Sequence, residues 1–130
     1  MDTDGAYNNA VDYVMGQIVE SYGNVGIAVC THNRASLENA IECMDKFGIP
    51  RDDKYVMTAQ LNGMVDNLTY SLGYSGYNAL KLMPYGDFED VWPYLMRRLE
   101  ENSSILNGSQ QERAFYTEEL KRRMRAMVGM

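Results

Sequence analysis

Three short apolar runs, each breaking into polar residues, constrain this chain most. They are VGIAVCTHN from Val25, YVMTAQLNGM from Tyr55 and NALKLMPYG from Asn78. Each is followed by a stretch with helical spacing. Alternation of strand and helix at this interval leaves few topologies, and the favoured one is a parallel sheet with right-handed crossovers. Continuous apolar runs predict strands covered on both faces. All three runs turn polar at their C-terminal ends, as THN, QLNGM and MPYG. In parallel α/β architectures that is the edge where ligands bind.

The helices are read from spacing and punctuation. From Asp4 to Glu20, the residues Tyr7, Ala10, Val11, Val14 and Ile18 recur on one helical face, and Gly23 closes that segment. A second helix starts near Arg34, with Leu37, Ala40, Ile41, Met44 and Phe47 as its inner stripe and Gly48 at its end. A short helix is expected over 65–72, a longer one through Tyr94–Glu101, and a polar amphipathic one over 110–127.

Composition narrows the function classes. With 130 residues, 45% hydrophobic and 23% charged, the chain has globular values and room for a sizeable core. A net charge of −6 argues against a general nucleic-acid binder. The cluster Lys121, Arg122, Arg123 and Arg125 sits beside Glu118 and Glu119 and reads as a solvated helix face. No apolar run approaches the ~18 residues of a membrane span. Met1 to Asn9 is acidic and polar, unlike a signal or transit peptide. Cys30 and Cys43 are too few for a disulfide framework or a metal site, and both are expected as reduced thiols near the core. The N-x-S/T triplets at Asn67, Asn102 and Asn107 read as chance.

The stretch YLMRRLEEN, from Tyr94, places two arginines side by side. Asp87 or Asp90 can cap this helix, and Pro93 is tolerable only in its first turn. At about 100° per residue, Val91, Leu95 and Leu99 define the apolar face, and Arg98 projects close to it. Arg97, Glu101 and Tyr94 follow around the same flank. Two readings fit. In one, Arg97 pairs with Glu101 at i,i+4 while Arg98 snorkels. In the other, the paired guanidinium forks bind a carboxylate bidentately.

The motifs PYGDFEDVWPYLMRRLEENSSIL, VCTHN, QLNGMVD and YNNAVDYVM resemble, in order and spacing, the C-terminal end of mitochondrial-type proline dehydrogenases. The resemblance covers almost the whole chain. It implies an FAD-dependent enzyme on a distorted (β/α)8 barrel that oxidises proline to pyrroline-5-carboxylate by passing a hydride to the flavin. On this basis Arg97 and Arg98 would grip the substrate carboxylate and Glu101 would brace them. Leu61 and Leu82 would face the substrate ring. Thr31, His32 and Asn33 would stand on the cofactor side, with Thr31 and His32 touching the adenosine end of FAD. His32 is the sole histidine, and without the resemblance it reads as a structural residue. The resemblance also implies a mitochondrial enzyme, a quinone-type electron acceptor and the inner mitochondrial membrane surface; no metal is expected.

Two departures from the family pattern stand out. Leu82 replaces a tyrosine of proline-specific members, where hydroxyproline-oxidising relatives carry a smaller residue. The chain is also short, since a whole barrel takes about 250 residues. Residues 1–130 are therefore expected to be the C-terminal portion of a barrel domain: an α/β partial barrel with about its last three parallel strands, their helices and a C-terminal helix. The missing strands would hold the family's active-site lysine and aspartate and its main flavin-binding arginine, so these residues alone should be inert. A hydroxyproline dehydrogenase relative, or a non-catalytic half-barrel that binds a partner, are the alternatives.

Overall fold

A computed structural model describes residues 3–21, 23–101 and 109–128. Two compact units divide the chain, Met1–Met83 and Pro84–Met130.

In the first unit the order is α1 (Thr3–Glu20), β1 (Ile27–Cys30), α2 (Arg34–Phe47), β2 (Val56–Leu61), α3 (Asp66–Tyr74) and β3 (Ala79–Leu82). Asn33 caps α2: its side-chain oxygen accepts the Ala35 N–H at 2.9 Å, which satisfies one of the donors a helix start leaves unpaired. Gly48 ends the helix in the left-handed region at φ 68°, with its N–H donating to Asp45 and the Ile49 N–H donating to Met44. A side chain there would meet the steric cost of positive φ, so glycine suits the stop.

The sheet is parallel with order β1-β2-β3. Ile27 pairs with Val56 and Val29 with Thr58; Thr58 pairs with Ala79 and Leu61 with Leu82. Side chains alternate across a strand, and registered neighbours share a face. One face therefore carries Val29, Val56, Thr58, Gln60 and Lys81, and the other carries Cys30, Met57, Ala59, Leu61, Leu80 and Leu82. The first face packs into a core with Val11, Met15 and Ile18 of α1, Leu37, Ala40, Cys43 and Met44 of α2, and Leu72 of α3. Fully burying a side chain such as Met15 or Ile18 contributes about 1.5–3 kcal/mol.

Here the structure corrects two expectations. The strands are covered on one face, and on the other Leu80 and Leu82 remain 49% and 53% exposed. Cys30 lies on that second face and is exposed, whereas Cys43 is buried as expected. The apolar content of the runs predicts two-sided cover. Much of it belongs to a face that no described element of this unit covers.

The second unit contains α4 (Phe88–Glu101) and α5 (Ser109–Val128). The Asp90 and Val91 amides both donate to the Asp87 carbonyl, so α4 starts there. Pro93 thus stands in the second turn, beyond its expected place, and the exposed Glu89 loses an amide partner. No residue of α4 is buried: Leu95 and Leu99, expected as its inner stripe, are both exposed. On α5, Arg122 and Arg123 both donate to Glu119, whose carboxyl is pushed down to about 2 by those hydrogen bonds. The basic cluster is a solvated face with internal ion pairs. Among the described residues no helix is long and apolar enough to cross a membrane.

Candidate functional site

The C-terminal edge of the sheet gathers five of the expected residues: Thr31, His32 and Asn33 after β1, Leu61 ending β2 and Leu82 ending β3. Leu61 and Leu82 are registered partners on the bare face and stand side by side. Their alkyl groups form an apolar surface, with Leu61 the less exposed of the two.

His32 ties two strand ends together. Odd-numbered residues of β2 direct their backbone groups towards β1, as the Ile27 N–H donating to the Tyr55 carbonyl shows. Since β1 ends at Cys30, the Leu61 N–H has no ladder acceptor left. His32 Nε2 takes it at 3.0 Å. An accepting Nε2 puts the ring proton of the neutral imidazole on Nδ1, where it can donate to a ligand. Burial lowers the His32 pKa below its usual value, and the nearby Lys81 charge lowers it further. Both effects favour the neutral ring.

The flanking residues are committed to different degrees. Thr31 Oγ1 accepts the Asn33 N–H at 3.1 Å, leaving the hydroxyl proton available to donate. Both ends of the Asn33 amide are engaged: Oδ1 caps α2, and Nδ2 donates to Asp4 of α1 at 3.0 Å. Asn33 therefore fixes where α2 begins and steadies the THN loop.

Lys81 was not singled out in the sequence. It projects from β3 on the helix-covered face, only 16% exposed, and its ammonium pairs with Asp66 at 2.7 Å. It also donates to the carbonyl oxygens of Leu61 at 3.2 Å and Met64 at 2.6 Å. A lysine inside the apolar run NALKLM was the available signal, since a buried ammonium demands partners. Gln60 was overlooked for the same reason. It is 2% exposed and its Oε1 accepts the Thr69 hydroxyl at 2.7 Å.

The donor set can be compared with FAD, which the family resemblance implies. Thr31 Oγ1 and His32 Nδ1 offer neutral donors suited to the uncharged adenosine end. The cations at this edge are engaged elsewhere, Lys81 with Asp66 and Arg34 with Glu38. These residues fit the nucleoside portion of the cofactor, while the pyrophosphate charge needs partners other than these two. A cavity of about 160 Å³ lies at the other end of the sheet, lined by Ile18, Phe47 and Ile49 among others. Its acidic member Asp53 already accepts the Tyr55 N–H, so it has no set of converging polar groups.

The second unit carries the other expected group, on α4. Arg98 donates to Glu101 at 2.6 Å, an i,i+3 pair, and its guanidinium lies 5.3 Å from the Tyr94 ring centre. The expected Arg97–Glu101 pair is not the one formed. Three residues advance the helix by about 300°, which brings Glu101 beside Arg98. Arg97 is exposed and makes no ion pair with another described residue. Braced by a carboxylate and stacked on a phenol, Arg98 presents a restricted guanidinium, the kind of group that binds carboxylates with defined geometry.

Fold and site edge thus define a parallel α/β unit with a ligand-type strand edge and a separate helix carrying adjacent arginines. Residues 1–111 match the model of the proline dehydrogenase family, and the chain belongs to that family. It is 41% identical over 100 residues to proline dehydrogenase 1, mitochondrial, of Drosophila melanogaster, covering 77% of this chain and 15% of the relative. It is 34% identical over 122 residues to the Bos taurus protein of the same name, covering 94% and 20%. Hydroxyproline dehydrogenase of Xenopus laevis is 36% identical over 122 residues, covering 94% and 26%. The chain therefore spans between 15% and 26% of the length of these relatives.

Proposed function

We propose that these residues form the C-terminal part of a flavin-dependent proline dehydrogenase that oxidises L-proline to pyrroline-5-carboxylate in mitochondria. The observation that carries this reading is the pairing of Leu61 with Leu82 on the bare face, at the strand edge where His32 also sits. In a complete barrel the helices lie outside and the opposite face of each strand looks inward, with the site at the C-terminal edge.

FAD, when bound, would supply the acceptor for the hydride lost by the amino acid. The chain's own residues bind and orient. Leu61 and Leu82 offer apolar surface to the substrate ring. Arg97 and Arg98 grip the substrate carboxylate, with Glu101 and Tyr94 limiting the rotamers of Arg98. Thr31 and His32 donate to the adenosine end of the cofactor, and Asn33 holds their loop through its cap on α2. A quinone-type compound at the inner mitochondrial membrane surface would be the final electron acceptor.

Hydroxyproline is the second substrate reading, motivated by Leu82, which matches neither the tyrosine of proline-specific members nor the smaller residue of hydroxyproline-oxidising relatives. A leucine leaves more room above a substituted ring than a tyrosine does. Relatives named hydroxyproline dehydrogenase match at the same level as those named for proline.

The deciding experiment compares flavin content and dye reduction with proline and with 4-hydroxyproline in the full-length enzyme. A yellow protein that turns over one of them, and loses substrate affinity on Arg98→Ala, supports the reading. A buried carboxylate left unpaired costs on the order of 2–5 kcal/mol, so the KM should rise steeply. Unchanged kinetics in both Arg97→Ala and Arg98→Ala would return these residues to a structural role. Residues 1–130 alone should be inert and free of stoichiometric flavin, because three parallel strands leave two unpaired edges.

A further inference from the structure

The turn joining β2 to α3 is strained and is held from outside. Val65, which precedes α3, has φ 44° and ψ 41°, in the left-handed region, and its apolar side chain cannot accept a capping hydrogen bond. Among the described residues it is the one non-glycine residue at positive φ. A β-branched side chain is poorly tolerated there, and such a conformation persists only when its surroundings over-determine it. Glycine at position 63, φ 79°, takes another left-handed position in the same turn at no such cost.

The over-determination is visible. Lys81 donates to the carbonyls on both sides of the turn, Leu61 and Met64, and pairs with Asp66 at the first residue of α3. On the opposite side His32 accepts the Leu61 N–H, and the Asn62 N–H donates to the Leu82 carbonyl at 3.0 Å. The Leu61 N–H is thus bound by a side chain from the loop after β1, and its carbonyl by Lys81 of β3 and by the Met64 N–H at 3.1 Å. Few rearrangements of Leu61 remain that keep all of these bonds.

We propose that Lys81 is a positioning residue: with Asp66 and His32 it clamps the strained Leu61–Asp66 turn and so fixes the Leu61 side chain beside Leu82 on the bare face. The substrate consequence rests on the function proposed above; the clamp itself does not. A lysine suits the task because its ammonium donates to two carbonyls while its charge pairs with the Asp66 carboxylate. A neutral residue of similar length would take the ammonium from the Met64 carbonyl, leave the Leu61 carbonyl with the Met64 N–H alone at 3.1 Å, and strip Asp66 of its ion-pair partner.

The test uses Lys81→Met and Lys81→Arg in the full-length enzyme, with two readouts. Hydrogen exchange over residues 61–66 should quicken in Lys81→Met and return towards the parent rate in Lys81→Arg. The KM for the amino acid should rise about tenfold in Lys81→Met while kcat changes by less than about threefold, since a displaced Leu61 weakens ring binding more than chemistry. Adding Val65→Gly to Lys81→Met should recover part of both effects by removing the strain the clamp contains. If Lys81→Met does not fold, Asp66→Asn carries the same comparison with smaller expected changes. Exchange that stays at the parent rate in the folded variants overturns the clamp. Faster exchange with an unchanged KM overturns the positioning role. Absence of turnover in the parent enzyme with either amino acid counts against the proposed function instead, and the exchange readout then decides the clamp by itself.

Discussion

Val29 and Cys30 are consecutive on one strand, and their surroundings share almost nothing. Val29 is wholly buried against α1 and α2, while Cys30 is exposed on the far side of the sheet. The same split runs through β2 and β3, where Gln60 is buried, Leu61 and Lys81 are half-buried and Leu82 is exposed. The covered face combines core residues such as Val29 and Val56 with the polar Thr58, Gln60 and Lys81, and the bare face carries leucines, unlike a simple amphipathic sheet. The polar groups on the covered side hold turns and helices in place. The leucines on the bare side are where an apolar ligand surface is needed. Large exposed apolar area at a strand edge marks an interaction or ligand site more often than a defect.

The largest expected effect contrasts one residue from each face. Met15→Ala, beneath the covered face and 0% exposed, should cost about 2–5 kcal/mol of unfolding free energy. Leu80→Ala on the bare face should stay within about 0.5 kcal/mol in the isolated chain. Urea titration measures both, and equal losses would erase the contrast.

Next in size is the enclosed polar pair. Thr69→Val leaves the buried Gln60 Oε1 without its donor, and Gln60 Nε2 already lacks a partner among the described residues. A loss of about 1–3 kcal/mol is expected. The double variant Gln60→Met with Thr69→Val should recover most of it, since apolar replacement of both partners removes the desolvation penalty. A double variant no better than the single would show that the pair does more than satisfy itself.

A third change probes the bare face through function. Leu82→Tyr in the full-length enzyme should shift preference from hydroxyproline towards proline, by about 1–3 kcal/mol at most, or up to about a hundredfold. A preference ratio that does not move places residue 82 outside the pocket.

The smallest effect is a pH slope. The folded His32 has a lowered pKa, so the unfolded chain binds its proton more readily. The stability that this difference contributes is complete above the unfolded value of 6.5 and falls as pH drops through the lowered folded value. As His32 is the only histidine, imidazole resonances report it directly. A ring that titrates above 6.5 would contradict its acceptor role towards Leu61.

Much of this fold was legible in the residues. The polar breaks after the three apolar runs, the helix start near Arg34 and the Gly48 stop lie where the strands and helices begin and end, because caps and turn residues act within a few positions of themselves. The family's motifs are likewise local strings. The sequence did not reveal which face of each strand would be covered. Alternating apolar residues on both sides of a run look the same whether a helix or an open space lies opposite. That choice depended on how α1, α2 and α3 return to the sheet.

Partners across chain distance were hidden for the same reason. His32 meets the Leu61 amide only because β1 is shorter than β2 and leaves that donor unanswered. Lys81 reaches the β2–α3 turn only because β3 pairs in the register that sets Leu82 beside Leu61. Short-range rules by themselves determined the elements and their order. Strand register and helix return, set by packing between residues far apart in the chain, decided which side chains meet and which face stays bare.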